Sequence, residues 1–547
     1  MIKKIKIIAF IYFSLITSFS FGQNWIWAFS GGNTLTEEAK SISTDLNGNA
    51  FVAGVFKDSI FNGNNKLYSH GNEDIFIAKF DNSGNLLWTR CFGGSQNDGY
   101  GVCLKTDLYG NCYVTGAYSY TAHIGSLTLS NGYSNNVFLL KFNSIGNIIF
   151  AKDYLSSGSS VGYGIDIDFA QNCYITGYFY NELFAIPNNV QSVGSHDIFI
   201  AKTDIQGNII WSRSAGGNSY DTGGGVSIDI NGNVYITGYF NNASQFGSMV
   251  VNSSGGDDIF VAKYSNTGNL IWVSRTYGAG VYDLGLKIRT FNDKVYLVGQ
   301  FEDVITIGSQ IFSSFGLSDG FVSMLDSSGS FLWTKQLGGQ GSDRLTDLNV
   351  VNNNNVFIAG WCNGIAVFDN VIVSTGNNQN GIICLLDASG NLVNYKLASG
   401  NGNNLFNSIA VQQLGEVFVA GAVADTLFLD NLMIHSNGAS DALIAKVIFE
   451  VNSSNEISLE GLKVLNNIFT NESSPFLVSS VMQNLHTLEI MDVKGSVLQK
   501  LPATILYPNE KFIIKNTFLK NLSLGVYYLK IVLKDSNKTQ YFKIIKV

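Results

Sequence analysis

Short apolar runs separated by glycine-containing turns recur along most of the chain. The stretch DIFIAKFDNSGNLLW at residues 74–88 returns as DIFIAKTDIQGNIIW at 197–211 and as DIFVAKYSNTGNLIW at 258–272. Glycine in the connecting turn supplies the positive φ that a twisted two-strand ribbon needs. The pattern therefore predicts antiparallel hairpins that are copies of one unit.

The residue that ends each copy gives the length of the repeat. These residues are Trp27, Trp88, Phe150, Trp211, Trp272, Trp333 and Asn394, which lie 61, 62, 61, 61, 61 and 61 residues apart. A period this regular indicates one supersecondary unit per repeat. In the fourth copy, the unit contains predicted strands at 225–230, 233–240, 258–264 and 269–275.

The predicted strands are apolar on both faces, as the segments IFIA and VYIT show. A sheet with one solvated face alternates more regularly, so we expect these sheets to be covered on both sides. Four-stranded antiparallel sheets packed between neighbours are the blades of a β-propeller. An unpaired fourth strand at 25–29 and an unpaired third strand at 441–447 would complete one blade together. We predict an all-β fold in which residues 23–449 form a seven-bladed propeller closed by the N-terminal strand.

The repeat also resembles a known family. The pattern GG…D…G…I…D…GN.Y.TG.F, followed by D.F.AK.D..GN..W, is similar to the SBBP-type β-propeller repeat of bacterial secreted proteins. The resemblance extends over about residues 24–449. It implies a propeller fold and no particular reaction.

The period stops after residue 449. Residues 450–458, EVNSSNEIS, are polar and predict a linker, and the alternating strands of 459–547 predict a small Ig-like β-sandwich. The segments LEIMDVKGSVLQ and LSLGVYYLKI resemble the type A C-terminal sorting domain of the type IX secretion system. The resemblance implies that this machinery is a partner. It also implies that the sorting signal includes Gly525, Tyr527, Lys530, Lys543 and Lys546. An ordinary Ig-like binding module is the alternative.

The first 22 residues have the three parts of a secretory signal peptide. Lys3, Lys4 and Lys6 precede an apolar run at 7–19, and Ser20 and Gly22 are small residues before a cleavage site. A membrane anchor is the alternative, but the apolar run is short for a bilayer span. We expect a chain without a transmembrane span that passes through the periplasm and is secreted or held on the outer cell surface.

The net charge and the cysteine positions limit the kinds of partner and of cross-link to expect. The net charge is −8, and no cluster of Lys and Arg is present to neutralise phosphates, which argues against nucleic acid. Four of the six cysteines occupy core positions of the repeat and behave as small apolar residues: Cys112, Cys173, Cys362 and Cys384. The sequence leaves undecided whether Cys91 and Cys103 form a disulfide.

Acidic and aromatic residues of the loops are the candidates for ligand contact. Asp98, Asp221, Asp283 and Asp343 precede the innermost strand of their copies, where four carboxylates at the channel mouth could bind a cation or sugar hydroxyls. The alternative is that each Asp accepts hydrogen bonds from its own loop. Tyr100, Tyr220 and Tyr282 also lie in loops and belong to the same candidate ligand face.

The sequence shows no catalytic motif. The five histidines (His70, His123, His196, His435 and His486) form no metal-spaced pair. The turns at Asp45 and Asp229 partly match calcium loops but lack the further acidic ligands, so we predict no cofactor and leave only Ca²⁺ open.

We predict a non-enzymatic binding or adhesion propeller with an extracellular glycan or protein as ligand. A secreted glycan hydrolase or lyase is one alternative, which needs a pair of carboxylates outside the repeat. A structural protein of the envelope or matrix is the other.

Overall fold

The fold is that of a computed structural model. It describes residues 24–449 except 62–65, 184–188, 353–354, 370 and 413–414, and beyond them the strands between 462 and 546 together with Leu522. The predicted signal peptide and linker lie outside the described residues. The described residues form strands and turns and no helix. They therefore contain no helix that is long and apolar enough to cross a membrane. The predicted all-β class is confirmed.

The strands before residue 450 form seven four-stranded antiparallel units. The first strand, β1 (Trp25–Gly31), belongs to unit 7. Unit 1 contains β2 (Glu38–Thr44), β3 (Ala50–Phe56), β6 (Asp74–Phe80) and β7 (Leu86–Phe92), with a short ribbon of β4 (Ser59–Ile60) and β5 (Leu67–Tyr68). Unit 2 contains β8 (Tyr100–Thr106), β9 (Cys112–Ile124), β10 (Leu127–Phe142) and β11 (Ile148–Tyr154).

The next two units share one eight-stranded sheet. Unit 3 contains β12 (Ser160–Ile167), β13 (Cys173–Leu183), β14 (Val190–Thr203) and β15 (Ile209–Gly217). Unit 4 contains β16 (Thr222–Ile228), β17 (Val234–Phe246), β18 (Met249–Tyr264) and β19 (Leu270–Arg275).

Units 5 and 6 also share a sheet. Unit 5 contains β21 (Leu284–Phe291), β22 (Lys294–Phe301), β25 (Asp319–Asp326) and β26 (Phe331–Gly339). A separate three-stranded sheet contains β20 (Tyr277–Gly278), β23 (Val304–Ile307) and β24 (Gln310–Ser313). Unit 6 contains β27 (Arg344–Asn352), β28 (Asn355–Phe368), β29 (Val371–Leu386) and β30 (Leu392–Leu397).

Unit 7 combines the two ends of the repeat region. It contains β32 (Leu405–Val411), β33 (Glu416–Val423), β36 (Asp441–Ile448) and β1. Beside it, a small sheet contains β31 (Ser399–Gly400), β34 (Thr426–Leu429) and β35 (Leu432–His435). β1 pairs with β36 from Trp27 opposite Lys446 to Gly31 opposite Ala442. The innermost strands β2, β8, β12, β16, β21, β27 and β32 contact one another in succession, and β32 contacts β2.

The middle strands of several units are longer than the sequence predicts. β17 continues past the predicted end at residue 240 to Phe246, and β18 begins at Met249 instead of 258. Asn242 has a φ of 60°, and the register shifts between Asn241 and Ala243 at this point. In the ribbon beyond it, buried residues such as Phe246 alternate with exposed ones such as Gln245, so it lacks the two-faced apolar pattern by which the strands were predicted.

The core lies between neighbouring units. Apolar side chains of adjacent sheets pack face to face, as Phe51 and Ile77 of unit 1 do with Val114 and Phe138 of unit 2. Cys112, Cys173, Cys362 and Cys384 are buried in such layers, as predicted. Cys91 and Cys103 are both free and have different neighbours: Cys91 lies against Asp74, and Cys103 against Lys287.

The strands after residue 461 form two further sheets. One contains β37 (Leu462–Leu465), β39 (Phe476–Ser479) and β43 (Lys511–Ile513). The other contains β38 (Ile468–Phe469), β40 (Gln483–Met491), β41 (Val497–Leu501), β42 (Thr504–Leu506), β44 (Gly525–Leu533) and β45 (Thr539–Lys546). The five residues of the predicted sorting signal lie on two paired strands, with Gly525 opposite Lys546. Lys530 forms an ion pair of 3.2 Å with Glu489 on β40.

Candidate functional site

Each innermost strand contains a β-bulge at the same place. In unit 1 the pairing passes from Ala39 opposite Gly54 to Ser41 opposite Ala53, which leaves Lys40 as the extra residue. Corresponding register shifts occur in the other six units. We call the extra residues the bulge ring: Lys40, Val102, Tyr163, Gly224, Leu286, Thr346 and Asn407. A bulge re-aims a side chain, so repetition of one bulge collects six side chains of differing chemistry and the backbone of Gly224 around one centre.

The bulge ring lines a cavity of about 390 Å³, which we call the mouth. Thr222, Tyr239, Leu284, Lys287 and Arg344 lie in its wall as well, and Tyr163 and Tyr239 are both half-buried. No Asp or Glu is among the described residues that line it. The mouth therefore combines cations and aromatic faces without a lining carboxylate.

The three cations of the mouth differ in their partners. Lys40 forms an ion pair of 2.5 Å with Glu38, and Lys287 Nζ donates to the carbonyl oxygen of Tyr163 at 3.2 Å. The Nε–H of Arg344 is buried and has no hydrogen-bond partner among the described residues, and burial lowers the pKa of this guanidinium. A buried donor without an acceptor costs about 1–3 kcal/mol, so Arg344 is the group that a ligand acceptor would stabilise most.

Below the mouth, the channel is filled by its own hydrogen bonds. The next residue of each innermost strand lines a cavity of about 190 Å³, among them Cys103, Lys287 and Asp347. Asp347 accepts hydrogen bonds from Ser408 Oγ at 2.7 Å and from Arg289 Nη2 at 3.3 Å. Asp347 is therefore paired within this second cavity, whereas the mouth retains an unpaired donor.

The four predicted acidic residues, Asp98, Asp221, Asp283 and Asp343, are fully buried, and none is among the residues that line the mouth. Asp98 accepts hydrogen bonds from the backbone N–H of Gly94 and of Ser119, both at 2.7 Å. Asp343 accepts the corresponding bonds from Gly339 and Asn363 at 2.8 and 2.9 Å. This placement agrees with the alternative in which each Asp pins its own loop.

These carboxylates lie at the junctions between units and have raised pKa values. Burial raises the pKa of Asp98 and of Asp283 to about 7, and that of Asp221 and of Asp343 to about 6. A buried Asp at the start of the third strand of the preceding unit adds to the shift, as Asp319 does for Asp343. Near neutral pH, part of this population is protonated.

The three predicted tyrosines are exposed, and one of them connects to the mouth. Tyr220 packs edge-on against His196, which stacks on Tyr178 with ring centroids 4.3 Å apart. Tyr178 lies 6.0 Å from Tyr163 of the bulge ring. This row of aromatic rings leads from the mouth to the outer surface. Tyr100 is the first residue of β8 and not part of a loop, whereas Tyr282 precedes β21, and both are exposed.

The comparisons with known proteins agree with the repeat. Residues 210–243 match the SBBP family, described as a β-propeller repeat. An uncharacterized WD repeat-containing protein of Acanthamoeba polyphaga mimivirus is 24% identical over 62% of this chain and 30% of its own length. This is a β-propeller repeat protein. The chain spans less than a third of the length of that relative.

Two solved structures match the chain with TM-scores below 0.5. The WD40 β-propeller domain of Doa1 has a TM-score of 0.41 at 9% identity, covering 79% of this chain and 99% of that domain. PorZ, a surface component of the type IX secretion system of Porphyromonas gingivalis, has a TM-score of 0.15 at 11% identity, covering 95% and 100%.

Sequence reasoning missed the aromatic and cationic residues of the mouth. Tyr163 and Arg344 lie on strands that otherwise carry repeat residues, and neither belongs to a motif. A cation on an innermost strand of a chain with only 14% charged residues is the signal that could have found Arg344. Tyr163 had no such signal, because only the bulge turns it into the channel.

The propeller turns that partly match calcium loops are hydrogen-bonded internally. Asp45 Oδ1 accepts from the backbone of Asn47 and Asn49, and its Oδ2 accepts from the Asn49 side chain at 2.8 Å. Asp229 repeats this arrangement with Asn233. These bonds are those of a hairpin turn.

Proposed function

We propose that the seven units are the blades of a closed seven-bladed propeller, and that this propeller is a non-enzymatic binding or adhesion protein. Its ligand is an acidic glycan held at the mouth of the channel. The observation that supports the ligand class is the unpaired buried Nε–H of Arg344 in a cavity that also exposes Tyr163 and Tyr239. Successive contacts of the innermost strands and the pairing of β1 with β36 support the closed ring.

The chemistry of the mouth suits an acidic sugar. A guanidinium binds a carboxylate in a bidentate manner, and tyrosine presents both an aromatic face and a hydroxyl to a pyranose ring. A cavity of about 390 Å³ lies within the usual range for small-ligand sites, about 300–1,000 Å³. The chain as a whole carries a net charge of −8, so a local group of cations is a departure from its general surface.

A glycan hydrolase would need a general acid and a second carboxylate on opposite sides of the scissile bond. No carboxylate lines the described part of the mouth, Glu38 beside it is paired with Lys40, and the buried acidic pairs belong to the junctions between units. This favours binding without turnover.

We expect the purified protein to bind a uronate-containing polysaccharide and not its neutral counterpart. Arg344→Gln should weaken this binding at least tenfold, and Tyr163→Ala should weaken it without abolishing the preference for acidic chains. Tyr282→Ala is the control, because Tyr282 is also a tyrosine near an innermost strand but is exposed and lies outside the mouth. Binding is measured by a glycan array and then by calorimetry.

Equal binding of acidic and neutral chains, or an Arg344→Gln protein that binds as the wild type does, would contradict the proposal. Release of new reducing ends in the same samples would favour the hydrolase instead.

Delivery is the second part of the proposed function. We propose export by the general secretory route and then by the type IX secretion system, with the C-terminal region as the sorting domain. The signal-peptide pattern of residues 1–22 and the position of the sorting motif on the paired strands β44 and β45 support this route.

A further inference from the structure

Three side chains with metal-binding atoms meet at the outer strands of unit 1. His70 Nδ1 lies 2.9 Å from Asp74 Oδ2, and the backbone N–H of His70 donates to the same oxygen at 2.8 Å. Cys91 Sγ lies 3.4 Å from Asp74 Oδ2 and 3.6 Å from His70 Nδ1. An imidazole nitrogen, a carboxylate oxygen and a thiol sulfur therefore form one small triangle.

The dimensions of this triangle fit a tetrahedral zinc site. Zinc bonds of about 2.0–2.1 Å to nitrogen and oxygen and about 2.3 Å to sulfur imply ligand separations of about 3.3 Å and, to sulfur, about 3.5 Å. Both separations that involve Cys91 match. The shorter distance between His70 and Asp74 is that of their direct hydrogen bond. We propose that His70 Nδ1, Asp74 Oδ2 and Cys91 Sγ bind one Zn²⁺ ion.

The repeat supplies an internal comparison. The position of Asp74 is aspartate in other units, including Asp197, Asp258 and Asp319, and in each the backbone N–H four residues earlier donates to it. The position of His70 is instead Val193, Ser254 and Phe315, and that of Cys91 is Ser214, Arg275 and Gln336. The carboxylate thus belongs to the framework of the fold, and among the described residues only unit 1 surrounds it with metal-binding side chains.

In two other units, a polar side chain of the fourth strand lies against the corresponding carboxylate. Arg275 lies 3.9 Å from Asp258, and the side-chain amide of Gln336 donates to Asp319 at 2.5 Å. In unit 1, Cys91 takes the place of these donors, and the described ion pairs of Asp74 include only His70. The Asp74 side chain is 0% exposed, and its Oδ1, like the Oδ1 of Asp197 and of Asp319, has no hydrogen-bond partner among the described residues. A bound cation would compensate a buried carboxylate, and only at Asp74 do an imidazole and a thiol stand beside it.

Entry and proton balance are both feasible. His70 is half-exposed, so an ion can reach the cluster from solvent. Only the thiolate form of a cysteine binds a metal, so the thiol proton must leave when the ion binds. Binding converts Cys91–SH and Zn²⁺ into a zinc thiolate and one proton released to solvent.

A second imidazole from the neighbouring unit lies close by. Gly93, two residues after Cys91, exchanges backbone hydrogen bonds with His123 of β9 at 2.8 and 3.3 Å. The rings of His70 and His123 have centroids 6.4 Å apart. The zinc ligands therefore lie on a scaffold that is held against unit 2.

The test uses the full chain, reduced and stripped of metal, titrated with Zn²⁺ against an indicator of known zinc affinity. We expect one ion per chain, release of about one proton at neutral pH and a higher melting temperature with zinc. Co²⁺ in place of Zn²⁺ should give a thiolate-to-metal absorption band that Cys91→Ser abolishes.

His70→Val copies the residue that unit 3 carries at this position, and it should weaken zinc binding at least tenfold while leaving the fold intact. His435→Asn is the control, because His435 lies on a comparable outer ribbon and is outside the cluster. A wild-type chain that fails to compete with the indicator for zinc would overturn the proposal, as would a His70→Val chain that retains wild-type affinity. Loss of affinity in His435→Asn equal to that in His70→Val would also overturn it.

Discussion

At the residue scale, the recurring tryptophan and the recurring turn glycine form one interlocking contact between units. The indole N–H of Trp211 donates to the carbonyl oxygen of Asn266 in the next unit at 3.0 Å. Gly268 of the same turn has a φ of +79°, and a Cβ added there would lie 2.9 Å from the Trp211 ring. Trp27 of β1 makes the same contact with the turn at Gly84. The repeat thus requires glycine for both its backbone conformation and the space above the ring.

This contact gives a test of ring closure. We expect Gly268→Ala and Gly84→Ala each to lower the free energy of unfolding by about 2–4 kcal/mol, as a φ penalty of about 1–2 kcal/mol combined with overpacking. Gly125→Ala is the control, because Gly125 also has a positive φ but has no atom within 4 Å of an added Cβ. It should lose only the φ penalty. Urea denaturation measures all three.

The comparison between Gly84→Ala and Gly268→Ala tests the position of the N-terminal strand. If β1 docks between units 7 and 1, the loss in Gly84→Ala equals that in Gly268→Ala. A Gly84→Ala chain that is no less stable than Gly125→Ala would show that β1 does not close the ring in this way.

At the scale of elements, each junction joins the third strand of one unit to the innermost strand of the next through buried polar groups. Burial raises the pKa of Asp319 and of Asp343 to about 6 at the junction of units 5 and 6. The next junction carries Asn380 and Asn404 at the same positions, joined by a hydrogen bond of 3.1 Å. The fold therefore accepts both an ionisable and a neutral pair.

We expect the free energy of unfolding to be larger at about pH 5 than at about pH 8. The pKa values of the buried junction aspartates are raised in the folded protein to about 6 to 7, from an ordinary value of 3.8. Their contribution to stability is therefore complete below pH 3.8 and is lost as the pH rises through about 6 to 7. The pKa values of the turn residues Asp81, Asp204 and Asp326 are lowered. These residues change the stability only below pH 3.8, so they do not offset the trend between pH 5 and pH 8.

The double variant Asp319→Asn/Asp343→Asn copies the neutral junction. It should reduce the difference in stability between the two pH values by on the order of 3 kcal/mol, since one unit of pKa shift corresponds to about 1.4 kcal/mol. Urea midpoints at the two pH values measure it. A wild-type protein that is more stable at the higher pH would refute this account.

At the scale of the whole molecule, the repeat region and the C-terminal strands have different expected roles. The seven units have their own cores, so deletion of residues 459–547 should leave a folded propeller. If the C-terminal region is the sorting domain, this truncated protein should accumulate in the periplasm. Cell fractionation and the C-terminal mass of the exported form measure the outcome.

Two lysines offer a matched pair for the sorting motif. Lys530 and Lys500 both form ion pairs with Glu489, at 3.2 and 3.1 Å, and only Lys530 matches the family motif. Lys530→Ala should reduce the exported amount, whereas Lys500→Ala should not. An equal effect of both variants would indicate a structural role through Glu489, and a truncated chain that reaches the surface would refute the sorting role.

Sequence alone determined the repeat, the strand type and the hairpin turns. These features are local, because apolar runs, glycine positions and a 61-residue spacing act within one unit. The all-β class and the β-propeller repeat follow from them. The burial of the four aspartates did not follow, since a carboxylate in a loop faces solvent or backbone according to how the neighbouring unit packs.

Tertiary structure decided the candidate sites. Seven residues about one repeat apart form the bulge ring only because each innermost strand bulges toward one axis. His70 and Cys91 meet around Asp74 because β6 pairs with β7, and His123 joins them from another unit, 53 residues away in sequence from His70. Spacing along the chain carries no record of such proximity, because it arises from pairing between strands and packing between units.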